Sequence, residues 1–559
     1  MTDAADPRRE DRRLTTGRGR FLADHITPET RHAGFCRADI ASARIDRIDI
    51  EAAAAVPGVL CVFTAVDLAA DGVGPIGHDT LPRDDGATPG DYPQPILCDT
   101  AIRHIGEPVA LVVAENPAAL ADGIEAIELE LSEAEPASGT AFLRRFGEAE
   151  AVRAALASAP HRHRIGIEIP RMTALALEPR GAIATPDGVG GLHYRASTQN
   201  PFALRNQMAA HFGWDPESLH VVAADVGGSF GLKGFMARED AALAWAARRL
   251  GRQLAWVPGR SETILADAQG RGVRGEVEIA ADAEFNILAL EARLEIDAGA
   301  YPGRRAFGLI GNVNGLTGMY RIPLVACELE GRLSARAPLA PFRGNGRPEA
   351  TYAIEKALDA LARKAGVDPV ELRGRNLITP QEMPATTGLG VKIDCGDFPR
   401  VMDAALALNG GAEARRREAQ ARGMLYGVGL ANCIESAGGP LRGPKPDYAR
   451  LTVCAAGGVI LAPGVMSVGQ GHETTLSRMV AARLEIDPER IEYRNGDTRA
   501  ISNGRGSGGS SGLTVAGSAL WQAAGRLLEE GRAMAAADFG CAAEEIVFRD
   551  GGVHRAQGN

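Results

Sequence analysis

The sequence predicts a large α+β protein, and three observations carry that prediction. Short apolar or alternating runs suited to strands recur beside longer helical patterns, and neither type is confined to one end of the chain. Twice, around 219–250 and around 491–537, a strand-like run ends in a glycine-rich turn that opens onto a helix. The chain has 559 residues, enough for three or four domains at roughly 150 residues each.

Taken in order, residues 1–13 are charged and polar, which excludes a secretory signal and predicts a loose tail. A first domain is expected over 14–136. Its clearest strand follows Ile105-Gly106-Glu107-Pro108, where Val109 to Ala114 is wholly apolar. Asn116 then stands at an N-cap and Pro117 at the first helical position. The run 127–131 alternates apolar and acidic residues, as a half-exposed strand does. Residues 137–164 are rich in alanine and charge and end in His161-Arg162-His163-Arg164. No third ligand sits at useful spacing, so this stretch reads as a solvated linker rather than a metal site.

The next domain is expected over 165–397. Leu177 to Ala182 leads into a hairpin, 191–197 reads as a strand, and a helix follows over 201–212. The apolar run 219–226 predicts a buried strand. The helix entered at Glu239-Asp240 has an acidic first turn and a basic last turn, as the helix dipole favours. Residues 276–298 alternate through a hairpin turning near Asp282 and Asn286. Pro348-Glu349 opens an amphipathic helix with Tyr352, Ile354, Ala357 and Leu358 on its apolar side, closing at Gly366. After a connecting segment, 398–425, a domain of similar character spans 426–559. It has two strands within 449–461, a helix over 474–484, a strand at 491–494 and a long helix over 515–537.

Composition sets outer bounds. The formal charge of −10 argues against a general nucleic-acid binder. No stretch approaches about eighteen continuous apolar residues, so no membrane-spanning helix is expected. The eight cysteines (36, 61, 98, 327, 395, 433, 454 and 541) form no Cys-x-x-Cys pair. That pattern suits a reducing, cytoplasmic setting and speaks against an iron–sulfur or zinc site here.

The chemistry concentrates at Ala224-Asp-Val-Gly-Gly-Ser-Phe-Gly-Leu-Lys-Gly234. Glycines between a strand and a helix let backbone N–H groups approach a ligand closely. A P-loop is excluded, because Lys233 follows Leu232 and precedes Gly234. The literal Gly504-x-Gly506-x-x-Gly509 follows Ile501-Ser502-Asn503 rather than a strand, so a Rossmann site is not expected there.

Four motifs occur in order: Ser197-Thr198-Gln199-Asn200-Pro201, Asp225 to Lys233, Phe342-Arg343-Gly344-Asn345-Gly346-Arg347-Pro348-Glu349, and Gly469-Gln470-Gly471-His472-Glu473-Thr474-Thr475. Together they resemble the molybdenum-binding large subunit of the xanthine dehydrogenase, aldehyde oxidase and carbon monoxide dehydrogenase family. Thr16 to Phe21 and Ile105 to Ala110 resemble the family's N-terminal α/β hammerhead domain. The resemblance implies that domain followed by two mixed α/β molybdopterin-binding domains, the second incomplete.

It further implies a molybdopterin cytosine dinucleotide, with no iron–sulfur cluster or FAD on this chain. Electrons would pass to a [2Fe-2S] small subunit and an FAD-binding medium subunit. The implied reaction is hydroxylation of an aldehyde or N-heterocycle with oxygen derived from water. Gln199 and Arg343 would be the catalytic residues. Gly227, Gly228, Phe230, Gly231, Gly344, Gln470, Gly471, His472, Glu473, Asp497, Thr498, Ser510 and Ser511 would bind the cofactor. Four of these have a plainer role open to them: Gln199 as a satisfied loop amide, Phe230 as core, Arg343 in a surface ion pair, His472 as a helix-start contact.

Departures from the family pattern narrow the expectation. Gly344-Asn345-Gly346 holds no cysteine after Arg343, which counts against a copper-containing carbon monoxide site. Gly234 stands where purine-oxidising members carry glutamate. The family's Gly-Ser-Arg-Ser turn reads Gly509-Ser510-Ser511-Gly512. Glu107 shares the Gly-Glu-Pro context of the family's general base but falls in the hammerhead region, so a structural role is expected. That base is expected on a second polypeptide completing the domain. The competing expectation is a non-catalytic cofactor-binding or assembly subunit, or a truncated remnant.

Overall fold

The computed structural model describes residues 7–77, 80–303, 307–435, 437–438, 446–549 and 551–556. Its first sheet is seven-stranded, in the order Leu219–Val222, Leu192–Ala196, Ala182–Pro186, Leu254–Trp256, Arg31–Arg37, Pro108–Ala114, Val59–Phe63. Strands read from two separate regions thus share one sheet. Arg31–Arg37 pairs parallel with Leu254–Trp256 and antiparallel with Pro108–Ala114. Every residue of Pro108–Ala114 is buried, as its unbroken apolar run requires. The helix Arg238–Leu250 packs its alanines against Tyr194, Leu254, Trp256 and Phe63 in the same core.

A five-stranded sheet has the order Thr140–Gly147, Leu324–Leu333, Ile287–Gly299, Gly270–Ala281, His161–Met172. Its faces follow the period-two alternation of strands. Ile279 and Leu290 meet Ile354, Leu358 and Leu361 of the helix Arg347–Ala365 on one side. Ala280 and Ala289 meet Val152 and Leu156 of the helix Ala149–Ser158 on the other.

The last unit is smaller. Ala449–Val453, Val459–Pro463 and Ile491–Tyr493 form a sheet covered by the helices His472–Leu484 and Ser518–Phe539. It joins the seven-stranded sheet just beyond Val222. The Ala223 N–H donates to the Gly496 carbonyl at 2.8 Å, and the Thr498 N–H to the Val221 carbonyl at 3.1 Å.

Several expectations are corrected. The stretch 137–164 is not a solvated linker: it supplies an edge strand, the helix Ala149–Ser158 and the start of His161–Met172. Residues 9–13 are not a loose tail, because Arg9–Leu14 is a helix docked on the last unit; residues 1–6 lie outside the described residues. The connecting segment carries the helices Phe398–Leu408 and Ala412–Ala421. The strand predicted over 219–226 ends at Val222, since its backbone partners beyond there come from loop 496–498. The final helix begins at Ser518, after a wider helical turn over Gly512–Gly517. The predicted helix at 201–212 is observed as Pro201–Phe212, capped by the Asn200 side chain and closed by Gly213 in the left-handed region.

Candidate functional site

Gln199 lies where the motifs meet. It follows the strand Leu192–Ala196 and is buried. Its backbone N–H donates to the Lys233 carbonyl at 3.1 Å. Its side-chain oxygen accepts from the Gly231 N–H at 3.0 Å, and its amide nitrogen donates to the Ser507 carbonyl at 2.6 Å. The Ser507 N–H returns a bond to the Gln199 carbonyl at 2.8 Å, and the Gln470 amide donates to the Ser507 hydroxyl. One amide therefore joins the glycine turn of the first half to the glycine–serine turn of the second.

The glycine turn needs its glycines. Gly231 has φ +111°, and a Cβ there would collide with the Pro341 carbonyl. Gly228 has φ +93°, and between them Phe230 itself adopts φ 57° with its ring partly exposed. A Cβ at Gly227 would strike Glu178. The Glu178 carboxylate accepts from the Gly227 N–H at 2.8 Å, the Ser197 hydroxyl at 2.7 Å and the Leu22 N–H at 3.0 Å. Lys233 is buried beneath, donating to the Glu178 carbonyl and to Ser197, each at 2.7 Å. Burial outweighs the neighbouring Glu178 charge and pushes the Lys233 ammonium down to about 8.

The Arg343 loop closes over this turn. The Arg343 N–H donates to the Phe230 carbonyl at 2.9 Å, while the Arg343 side chain is exposed. Arg271 braces the loop, with its guanidinium on the Arg343 carbonyl and on Glu349. Gly344 at φ +87° lies against the Pro348 ring.

In the second half, Gly471 at φ +80° caps the helix His472–Leu484. The His472 ring is mostly buried, its pKa lowered by burial, and its Nδ1 makes no hydrogen bond of good geometry among the described residues. Glu473 pairs with Arg13 at 2.6 Å. Asp497 pairs with His220 at 2.8 Å, and the Thr498 hydroxyl accepts from the Val221 N–H at 3.0 Å. Ser511 donates to the Gly508 carbonyl at 2.7 Å, and Ser510 sits at φ 52°.

The arrangement fits a long anionic ligand. Glycine turns precede helices in both halves, and a Cβ at Gly469 or Gly508 would meet nothing within 4 Å, so both turns border open space. The polar contacts of Thr498 and Ser511 are nevertheless made to the protein's own backbone. Sequence reasoning missed Glu178, Ser507 and Arg13 as site residues, and it marked Asp225 and Lys233 only as part of the glycine-turn motif, without a role. Ser507 had a signal, its glycine- and serine-rich turn. Arg13 had none, since its partners are 212 and 460 residues away. Glu107, in contrast, is fully buried and paired with Arg238 at 3.0 Å, at the start of the helix that follows this turn.

Beside the site lies a cleft of about 670 Å³ lined by Tyr92, Gln94, Gln207, His211, Phe235, Met236, Tyr301 and Leu339, among others. Phe235 and Met236 directly follow the glycine turn, and Leu339 leads into the Arg343 loop. Among the described residues its lining has no Asp, Glu, Lys or Arg.

Comparison with known proteins agrees with this geometry. Residues 16–135 match the aldehyde oxidase and xanthine dehydrogenase a/b hammerhead domain, and residues 135–377 and 405–559 each match a molybdopterin cofactor-binding domain. The chain is 31% identical to the nicotine 6-hydroxylase large subunit of Paenarthrobacter nicotinovorans, over 98% of this chain and 70% of that one. It is 30% identical to the carbon monoxide dehydrogenase large chain of Hydrogenophaga pseudoflava, over 94% and 70%. The fold superposes on quinoline 2-oxidoreductase from Pseudomonas putida 86 with a TM-score of 0.91 at 28% identity, covering 99% of this chain and 73% of that one. By motif order, fold and sequence, the chain belongs to the family of molybdopterin-binding large subunits of molybdenum hydroxylases.

Proposed function

We propose that this chain binds molybdopterin cytosine dinucleotide between its two halves. It serves as the oxidising subunit of a hydroxylase whose electrons leave through [2Fe-2S] and FAD subunits. The observation that carries this reading is the double engagement of Gln199, which holds Gly231 on one side and Ser507 on the other. When bound, the molybdenum centre supplies the two-electron oxidation in which an oxygen atom from water replaces a hydrogen on the substrate carbon.

The chain's own residues do the positioning. Gln199 would offer the remaining hydrogen-bonding capacity of its amide to the centre, and the first-turn N–H groups of His472–Leu484 would bind the anionic tail. Arg343, exposed and tethered only through its backbone among the described residues, is free to offer its guanidinium to negative charge developing on substrate. The cleft takes the substrate. Its Tyr92, Phe235 and Tyr301 rings suit a flat aromatic molecule, and Gln94 and Gln207 supply neutral hydrogen-bonding groups. This described lining of rings and amides suits an uncharged N-heterocycle or aromatic aldehyde. Likeness to a nicotine hydroxylase and a quinoline oxidoreductase supports the heterocycle. Gly344-Asn345-Gly346 supplies no thiol for a copper centre.

The test is to isolate the protein from its native host with whatever co-purifies, and to measure molybdenum, released cytidine nucleotide and turnover of quinoline and benzaldehyde in ¹⁸O-labelled water. Near-stoichiometric molybdenum and nucleotide with labelled product is the expected result. A complex devoid of both would sink the proposal.

A further inference from the structure

The segment 8–22 runs along the seam between the two halves and is bonded to both. On the second half, the Arg9 N–H donates to the Thr474 hydroxyl at 2.8 Å, and that hydroxyl donates to the buried Glu10 carboxylate at 2.6 Å. The Arg9 guanidinium donates to the Pro488 and Ile491 carbonyls at 3.2 and 3.0 Å. On the first half, the Arg20 N–H donates to the Asp225 carboxylate at 2.9 Å, and the Asp225 N–H donates to the Arg20 carbonyl at 3.2 Å. Leu22 then reaches Glu178, whose other carboxylate oxygen holds Gly227.

Between these anchorages stands Arg13. One arm of its guanidinium meets Glu473 at 2.6 Å, the second residue of the second-half helix. The other meets Asp225 at 2.6 Å, the residue two before the glycine turn. We propose that Arg13 is a positioning residue: it sets the separation of the glycine turn and the helix start, so that both grip one ligand. This rests on the cofactor reading above.

The physical reason is that Asp225 and Glu473 are like charges facing each other across the seam, both mostly shielded from solvent. A planar fork satisfies two carboxylates at fixed spacing, whereas an ammonium is a point charge without that geometry. Without Arg13 the two carboxylates repel, and the seam opens while the anchors at Arg9 and Arg20 persist. Glu10 adds a further negative charge on the helix-start side; the nearby Arg8 guanidinium is directed to Asp11 at 2.8 Å and to the Gly469 carbonyl at 3.4 Å.

The experiment compares wild type, R13Q and R13K in the complex purified from the native host, by hydrogen exchange and by nucleotide retained through gel filtration. R13Q is expected to exchange about fivefold faster over 225–234 and 469–475 with the rest unchanged, and to lose nucleotide faster. R13K is expected to fall between, because it engages one carboxylate at a time. Raising salt is expected to accelerate the same segments in wild type, by screening the clasp, and to slow them in R13Q, by screening the carboxylate repulsion. Exchange at both segments equal to wild type in R13Q overturns the proposal. If R13Q does not fold, R13K matching wild type overturns it instead. A wild-type complex lacking nucleotide removes the cofactor reading, while the exchange difference still reads the clasp.

Discussion

The helix after the first glycine turn, Arg238–Leu250, is buried continuously from Arg238 to Ala247. The helix after the second, Ser518–Phe539, buries Leu520, Ala524 and Ala536 but leaves Trp521, Met534 and Phe539 largely exposed. As sequence the two strand–turn–helix units look alike. The first is held by charges taken fully out of water: Arg238 on Glu107, and Glu239 shared between Arg37 and Arg180. These charges keep Glu239 down at about 2, burial opposing but the surrounding arginines prevailing. The second turn is held by hydrogen bonds to Gln199 and Gln470, with the Arg205 guanidinium on the Ser502 carbonyl at 2.8 Å and the Asp447 carboxylate on the Arg505 N–H at 3.2 Å. The first turn is thus set in a network of buried ion pairs, the second mainly in hydrogen bonds to backbone and amide groups.

The comparison breaks most sharply at the buried charges. Arg238→Met leaves the Glu107 carboxylate buried without its partner and is expected to cost about 3–5 kcal/mol, read from urea unfolding. A loss under about 1 kcal/mol would mean that the network does not anchor the first turn.

Lys233 offers a pH test of the same turn. Its folded-state pKa of about 8 lies below the ordinary lysine value, so the unfolded chain binds more protons above pH 8. Below that pH both states are charged and the full burial penalty stands. Stability is therefore gained as pH rises from about 8 towards 10.5, by about 3 kcal/mol at most, relative to a K233M variant. Parallel curves for the two proteins across that window would refute the buried ammonium.

Gly231→Ala meets a left-handed φ and the Pro341 carbonyl. It is expected to cost about 1–3 kcal/mol of local strain, seen as lost nucleotide in a protein that still folds. Full nucleotide content in that variant would show that the turn's shape is not needed for binding. The smallest effects belong to the second unit. Gly508→Ala meets nothing within 4 Å, and Met534→Gln alters an exposed position; each is expected within about 0.5 kcal/mol of wild type by thermal unfolding. A larger change in either would mean that the second unit is as tightly built as the first.

Legibility in the sequence followed the range of the interactions. The helix Pro201–Phe212 was readable because Asn200, Pro201 and Gly213 are local signals. The hairpin at 270–299 was readable because alternation and its turn are adjacent in sequence. The edge strand Thr140–Gly147 was not, since its pairing runs to Leu324–Leu333, with Thr140 bonded to a residue 190 positions away. The helix Arg9–Leu14, six residues long, is too short to hold by itself and exists through its docking. At the site, motif order marked Gln199, the glycine turn, Arg343 and the Gln470 segment, but not what each one touches.

By itself, then, the sequence determined the local elements, the positions where only glycine serves, and the family. Propensity, periodicity, capping and motif order are all written within a few dozen residues. Tertiary structure alone decided that one sheet is shared by two regions, that Gln199 bridges two turns, and that the N-terminal segment lies along the seam. Those outcomes depend on charges and backbone groups hundreds of residues apart being buried together. Taking such groups out of water costs free energy that only their mutual pairing offsets, and no local pattern records that contact.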